Sequence, residues 1–406
     1  MASMKTTMVI PSYWRRPSDA GIRETDAVYD HPTPLDEAGT LGRTIESIAT
    51  LRDRDFDLVI IAASTAADVE TQVEERVARI IKTSTAPVPV RLFSHSHLRQ
   101  IHRILDDRGG GRFSKLLSLR GYSNIRNLCL FLPHLLGSDT AVLIDDDEVF
   151  EDPRFMAKAR EYIGQSSGGP FIGAVAGYYL QPDGDWRLKK TEESRPTAWN
   201  KVARMNEAFE GIIGTPPRLK ETPFVFGGNM IVHRDIFREI PFDPAIARGE
   251  DIDYLINMRM FGHTFFLDNT LSIKHLPPPK PHPLWKGLRE DIYRFTRERA
   301  KLRTQERMPG MVPVRAEELD PYPGAFLKDD LEDMIAAECT ALAAQYRKEG
   351  KEGDAAEALK NIDIAASEAE SGGDLFHHLI ATQGLWKEMM AFTAEDEIRE
   401  RLAHLL

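Results

Sequence analysis

Short apolar runs alternate with amphipathic stretches through the first third of the chain. Residues 7–10 are an apolar run stopped by Pro11, read as a short strand. Residues 42–51 carry Ile45, Ile48 and Leu51 on one helical face. Residues 58–62 are wholly apolar, as a strand inside a parallel sheet should be. Residues 69–81 place Val69, Val73, Val77 and Ile80 on one stripe and predict an amphipathic helix. A short strand over 88–93, a helix over 124–136 ending near Gly137, and a buried strand over 140–144 follow. This β-α-β-α-β rhythm predicts a doubly wound α/β sheet with helices on both faces.

Two segments break the rhythm. Residues 13–40 form a long polar stretch with Pro17, Pro32 and Pro34, long enough to be functional rather than a simple connection. Residues 107–113 contain Gly109-Gly110-Gly111, which follow no clear strand and open no helix. They read as a flexible loop, not a phosphate cradle. Further on, 171–180 and 224–232 are strand candidates. The prolines between 276 and 283 force an extended path, and 284–304 is helical. Residues 325–406 read as all-helical, with Leu331, Met334, Ile335, Cys339 and Leu342 on one stripe. Thr393 with Asp396 resembles a helix-starting box.

Composition narrows the function class. The chain has 406 residues, 42% hydrophobic and 28% charged, as a globular protein of two or three domains would. A net charge of −11 argues against a nucleic-acid partner, which calls for a basic face. It does not exclude anionic substrates, because a metal or a local arginine cluster offsets the field. No apolar stretch approaches the ~20 residues of a membrane span, and no signal-peptide pattern opens the chain. Cys129 and Cys339 sit far apart among apolar residues, so buried thiols and a cytoplasmic location are expected.

The strongest chemical signal is Asp145-Asp146-Asp147-Glu148, directly after the strand 140–144. Four acids in a row repel each other unless something positive binds. Ligands of open α/β sheets sit beyond the carboxyl ends of the strands. In an extended stretch Asp145 and Asp147 face the same way and suit one hard cation, Mg²⁺ or Mn²⁺. A solvated acidic turn is the plainer alternative. Three weaker signals follow. Arg248-Gly249-Glu250-Asp251 opens an apolar helical pattern, though acids suit any helix start. Gly227-Gly228-Asn229 lies inside an apolar strand, which suits close approach of a ligand or a simple bulge. His275 stands in Lys274-His275-Leu276-Pro277, as a ligand or as a structural residue.

Taken in order, these motifs make the chain resemble the GT-A-fold glycosyltransferases, the family 2 members and their relatives. The carrying residues are Val9-Ile10-Pro11-Ser12-Tyr13, Arg120-Gly121-Tyr122-Ser123-Asn124-Ile125-Arg126-Asn127, Asp145-Asp146-Asp147, Gly227-Gly228-Asn229 and Gly249-Glu250-Asp251. The resemblance covers about residues 5–280. It implies a Rossmann-like, mostly parallel central sheet flanked by helices, with a C-terminal helical extension. It divides the chain into a donor-binding half (5–150), an acceptor-binding half (151–305) and the extension (306–406). The second strand departs from the family pattern: it ends Ala62-Ala63-Ser64-Thr65, without the usual carboxylates, which leaves the nucleotide base open. No motif of the processive polysaccharide synthases is present.

The resemblance further implies a UDP- or GDP-sugar donor, Mn²⁺ or Mg²⁺, and an unidentified acceptor hydroxyl. Pro11, Ser12, Tyr13, Arg15 and Ser64 would line the nucleotide site, with Arg126, Asn127, Asp145, Asp146, Gly227, Gly228 and Asn229 contacting the donor. Asp145, Asp147 and His275 would hold the metal. Asp251 would be the catalytic base of an inverting transfer, with Glu250 orienting it or binding the acceptor. A retaining transferase with the same metal site is the alternative. A sugar nucleotidyltransferase fits less well, since no glycine-rich loop follows the first strand. Trp186 and Trp199 are candidate acceptor-stacking residues, and the C-terminal helices a candidate homodimer surface.

Overall fold

The computed structural model describes residues 4–21, 23, 25–166, 169–189, 199–278, 282–371 and 373–406. Its strands are β1 (Thr6–Arg15), β2 (Thr33–Pro34), β3 (Asp57–Ser64), β4 (Val90–Phe93), β5 (Thr140–Ile144), β6 (Glu148–Val149), β7 (Ala174–Leu180), β8 (Leu219–Glu221), β9 (Asn229–His233) and β10 (Phe265–His275). The helices are α1 (Leu41–Ser47), α2 (Glu70–Thr83), α3 (His95–Asp107), α4 (Tyr122–Leu135), α5 (Phe155–Glu161), α6 (Lys201–Ile212) and α7 (Arg234–Phe237). They continue with α8 (Glu250–Met260), α9 (Leu284–Thr304), α10 (Leu331–Lys348), α11 (Glu352–Ser371), α12 (Leu375–Thr393) and α13 (Asp396–Ala403).

The strands form one sheet in the order β4-β3-β1-β5-β9-β7-β10-β6. β4, β3, β1 and β5 run parallel, and β7 runs parallel to β10. β9 is antiparallel to both β5 and β7 and joins the two halves. The mostly parallel sheet, its helical layers and the helical C-terminal region are thus as the sequence implies. Strand alternation builds the layers. Met8, Ile10, Leu58 and Ile60 pack on one face with α1, α2 and α5. Val9, Val59 and Ile61 pack on the other with α3, α4, α8 and α9.

Pro11 does not stop the first strand. β1 runs on to Arg15, pairing Pro11 with Ile61 and Trp14 with Ser64. On its other side β5 pairs only as far as Val9, so the proline stands where that flank no longer has a ladder to break. The 13–40 stretch therefore starts inside the sheet and returns to it through β2, alongside Trp14 and Arg15. The glycine run is likewise not a loose loop. It closes α3 and leads into a 3₁₀ turn over Gly111–Leu116. A Cβ on Gly110 would lie 2.7 Å from the Phe392 ring, so the run is shaped by packing against α12.

The C-terminal helices fold back on the α4 and α9 side of the sheet. Trp386, Leu379, Met389, Ile398 and Leu402 are buried in the same cluster as the sheet residues Val9 and Leu143. Trp386 Nε1 donates to Phe237 O at 2.9 Å. Leu331, Ile335, Cys339 and Leu342 of the apolar stripe are likewise buried in that cluster. Among the described residues, the exposed large hydrophobics are Val28 and Val312. Thr393 ends α12 instead of capping α13: its hydroxyl donates to Met389 O at 2.8 Å. Both cysteines are buried thiols. No described helix is long and apolar enough to cross a membrane.

His134 pins this extension to α4. Arg238 Nε donates to His134 Nδ1 at 3.2 Å, so Nε2 carries the proton given to Thr393 Oγ1 at 3.1 Å. Burial, with Arg238 beside it, pushes the imidazole down from 6.5 to about 3. Below 6.5 the unfolded chain takes up a proton that the fold refuses, so this group's stability is complete above 6.5 and lost as pH falls toward 3. Urea unfolding from pH 7 to pH 5 should show a loss approaching about 1.4 kcal/mol per pH unit from this residue. His134→Gln should flatten that slope; an unchanged slope would refute the assignment.

Candidate active site

The site lies at the carboxyl ends of β1 and β5, where the strand order reverses between β3 and β5. β5 ends at Ile144, and the chain turns through Asp145–Asp147 into β6. β6 pairs antiparallel with the end of β10, setting His275 opposite Glu148. Leu276 N donates to Asp147 O (2.9 Å) and Thr44 Oγ1 to Asp146 O (2.7 Å), which fixes the turn.

Each acid of the run has its own partner. Asp145 faces Arg126, with Oδ1 2.8 Å from Nη1 and Oδ2 3.1 Å from Nη2. Asp146 turns the other way and accepts from Ser12 Oγ at 2.6 Å. Asp147 Oδ2 meets His275 Nε2 at 3.4 Å. Glu148 folds back to accept from the Asp145 backbone N–H at 3.0 Å. Burial, and Asp147 next, pushes the Asp146 carboxyl well up; burial, and then Asp145, does the same to Glu148. At Asp147 burial also pushes upward, but the hydrogen bond and charge of His275 prevail, and the carboxyl sits below its ordinary value. The positive partners expected for the acidic run are therefore partly internal.

Arg126 is the hub. Its guanidinium is buried, and Nε donates to Glu250 Oε1 at 3.2 Å while the Nη atoms hold Asp145. One cation thus bridges two acids from distant motifs. Burial pushes Glu250 up to about 7 against the pull of Arg126. Asp251, beside it and half-buried, accepts from Gly227 N (3.1 Å) and Ile252 N (2.8 Å). Gly249 caps α8 at φ +74°, and a Cβ there would lie 2.3 Å from Arg294 Cδ, so both backbone and packing demand glycine.

Gly227 and Gly228 lie in the turn entering β9, not inside the strand. Their closeness serves the protein's own carboxylates. A Cβ on Gly228 would lie 2.2 Å from Glu148 Oε1 and 2.7 Å from Asp145 Cγ; one on Gly227 would lie 2.7 Å from Arg126 Nη2. Gly228→Ala should cost about 1–3 kcal/mol in urea unfolding, through overpacking. Gly211→Ala, with open space around it in α6, should cost nothing. Equal midpoints for the two variants would contradict this account.

Several residues singled out by sequence stand apart from the hub. Asn127 is buried and spends its amide on Phe242, donating to its O (3.0 Å) and accepting from its N (2.8 Å). Asn229 donates to Tyr178 O and Leu271 O, tying β9 to β7 and β10. Ser64 Oγ donates to Ala66 O at 3.0 Å. Pro11 is strand, and Ser12 is buried beneath Trp14, whose Nε1 donates to it at 2.8 Å. Tyr13, by contrast, adjoins the hub, where the charges of Arg126 and Asp145 act on it, and it packs in an aromatic cluster, 4.5 Å from Tyr29 and 5.2 Å from Tyr122 between ring centroids. Trp199 is buried against Phe295 and Phe326, and Trp186 carries Arg187 over its ring.

Sequence reasoning missed residues that do join the site. Tyr179 stacks on His275 with ring centroids 4.7 Å apart, and its oxygen accepts from Gly228 N at 2.8 Å. His31 acts electrostatically on Asp147. Asp30 is bound by Arg248 Nη2 at 3.0 Å, so the 13–40 stretch is fastened across the site rather than trailing from it. Tyr179 carried only a strand signal, and His31 only its place in a loop of unusual length.

No protein-family model matches the chain, and no curated protein matches it. Solved structures are similar in overall course. One is the mannosyltransferase PcManGT from Pyrobaculum calidifontis, in complex with GDP-Man and Mn²⁺. It is 15% identical, covering 97% of this chain and 87% of that one, with a TM-score of 0.44. Another is glucosyl-3-phosphoglycerate synthase from Mycobacterium tuberculosis, in complex with Mg²⁺ and UDP. It is 14% identical, covering 71% and 76%, with a TM-score of 0.36.

Proposed function

We propose that the protein is a metal-dependent glycosyltransferase that moves a sugar from a nucleotide-diphosphate donor to an acceptor hydroxyl with inversion. The observation that carries this reading is Arg126, which joins Asp145 after β5 to Glu250 at the start of α8, with the Asp147–His275 pair beside them. A sheet end of this kind gathers ligand-facing groups from separate motifs.

The residues fit a divalent cation in one specific way. Asp147 and His275 supply a carboxylate and an imidazole within 3.4 Å. Among the described residues no three His, Cys, Asp or Glu side chains form a ready-made shell. Mg²⁺ sites commonly take one or two protein carboxylates and complete themselves with substrate phosphates and water. Asp147 and His275 would therefore hold the ion, and Asp145 would stay with Arg126. When bound, the ion would neutralise charge on the departing diphosphate. Arg126 orients Asp145 and Glu250. Asp251, half-exposed and steadied by two backbone amides, takes the proton of the acceptor hydroxyl as that oxygen attacks the sugar.

Thermal shift with UDP-, GDP- and dTDP-sugars tests the reading. One donor should raise the melting temperature only with Mn²⁺ present, and His275→Ala should abolish that dependence. No donor response with or without Mn²⁺ would overturn it.

A further inference from the structure

The residues that the transferase reading gives to the nucleotide lie under the chain itself. Pro11, Ser12, Tyr13 and Ser64 are buried, and Arg15 alone of that set is partly exposed. Residues 25–34 form the cover. Ala27 N donates to Thr65 O at 2.9 Å, just past the end of β3. The buried Tyr29 ring packs on Tyr13, with centroids 4.5 Å apart, and on Tyr122 at 5.0 Å. β2 then lays Thr33 and Pro34 beside Trp14 and Arg15.

Tyr29 also separates two spaces that a donor would need together. On its outer side is a cavity of about 530 Å³, whose wall includes Arg15, Ala27 and Thr65. On its inner side Tyr13 adjoins Arg126 and Asp145. A nucleotide-diphosphate that touches Arg15 and reaches the Asp147–His275 pair crosses the place that Tyr29 fills.

The cover leaves polar groups of the site unsatisfied. Tyr13 is 7% exposed and Thr65 4%, yet Tyr13 Oη and Thr65 Oγ1 have no hydrogen-bond partner among the described residues. Buried hydroxyls are normally paired, and an orphaned one costs free energy. Tyr13 lies beneath the Tyr29 ring and Thr65 beneath the Ala27 amide. A nucleoside, rich in donors and acceptors, can satisfy both once the cover is lifted.

Apart from the Tyr29 ring, polar ties hold this segment down. Tyr29 Oη accepts from Gly121 N at 3.1 Å, and Asp30 N donates to Tyr122 Oη at 2.5 Å. Arg248 Nη2 donates to Asp30 Oδ2 at 3.0 Å. Val28, next to Tyr29, is exposed. Ties of this kind exchange for bonds to water or ligand at little net change. The Arg248 tie ends two residues before Glu250, so lifting the segment also frees a guanidinium at the start of α8.

We propose that residues 25–34 are an autoinhibitory strap: when it is closed, Tyr29 fills the donor's nucleoside position, and donor binding requires the strap to lift. The proposal rests on the transferase reading and adds control of its donor site. A donor that binds only the lifted state has its affinity reduced by the fraction of molecules lifted.

Calorimetric titration of the full chain with UDP and, separately, GDP, each with Mn²⁺, tests the strap. Tyr29→Ala, with wild-type circular dichroism, should tighten binding of one of them by about tenfold or more. Tyr29→Phe, which loses only the bond to Gly121, should tighten it by less. The double variant Ala27→Cys/Thr65→Cys should bind when reduced, lose at least about tenfold in affinity when oxidised, and recover with dithiothreitol. Unchanged or weakened binding in folded Tyr29→Ala, or equal binding by the reduced and disulfide-locked forms, would overturn the strap and leave the transferase reading standing. No nucleotide binding by any form, Tyr29→Ala included, would overturn the reading and the strap with it.

Discussion

Asp251→Asn is expected to lower turnover by about 10²–10⁴-fold while donor affinity stays within about twofold. The asparagine keeps one acceptor for the Gly227 or Ile252 amide, which now meet both carboxylate oxygens at 3.1 and 2.8 Å. The turn should therefore survive, and an unchanged urea midpoint within about 1–2 kcal/mol is the control for folding. The loss should appear in kcat, because the proton is taken only as the acceptor oxygen attacks. Near-normal turnover in a folded variant would remove Asp251 as the base. The anomeric configuration of the product, read by NMR, must then agree: inversion needs a base there, and retention does not.

Lys301→Met is expected to cost the largest amount of stability, about 3–5 kcal/mol in urea unfolding. Lys301 comes from α9 and donates to Asp253 Oδ1 at 2.6 Å and Asn257 Oδ1 at 3.1 Å in α8, and lies 3.0 Å from Asp243 Oδ2. The Lys301, Asp243 and Asp253 side chains are at most 1% exposed. Removing the cation strands two carboxylates where water cannot reach them. Burial already pushes Asp253 up; at Asp243 burial pushes upward too, but the charge and hydrogen bond of Lys301, with the Ala245 N–H, together hold the carboxyl down. Without Lys301 both would rise above their unfolded value. A raised carboxyl binds a proton in the fold that the unfolded chain has released, so the variant should lose more stability at pH 8 than at pH 5. Adding Asp243→Asn should recover part of the loss. A loss below about 1 kcal/mol, equal at both pH values, would show that the triad does not hold α9 to α8. That junction matters for the site, because Arg294 of the same helix packs on Gly249 at the start of α8.

The pattern of apolar positions by itself determined the layers. Alternation along β1 and β3 assigns each residue to a sheet face, and the stripe of α2 assigns its buried side. These are local quantities, fixed by periods of 2 and 3.6 residues. The order of Asp145, Gly227 and Glu250 along the chain likewise pointed to the sheet end that holds the candidate site. Sequence could not say which charged group each acid would meet. Arg126 bonds Glu250 across 124 positions, and Asp147 meets His275 only because β6 pairs with β10. Asn127, Ser64 and Asn229 have the right chemistry for a ligand, but tertiary packing directs their donor hydrogens to Phe242, Ala66 and Leu271. Partner choice is a matter of contact between distant segments, and periodicity records only which face is dry.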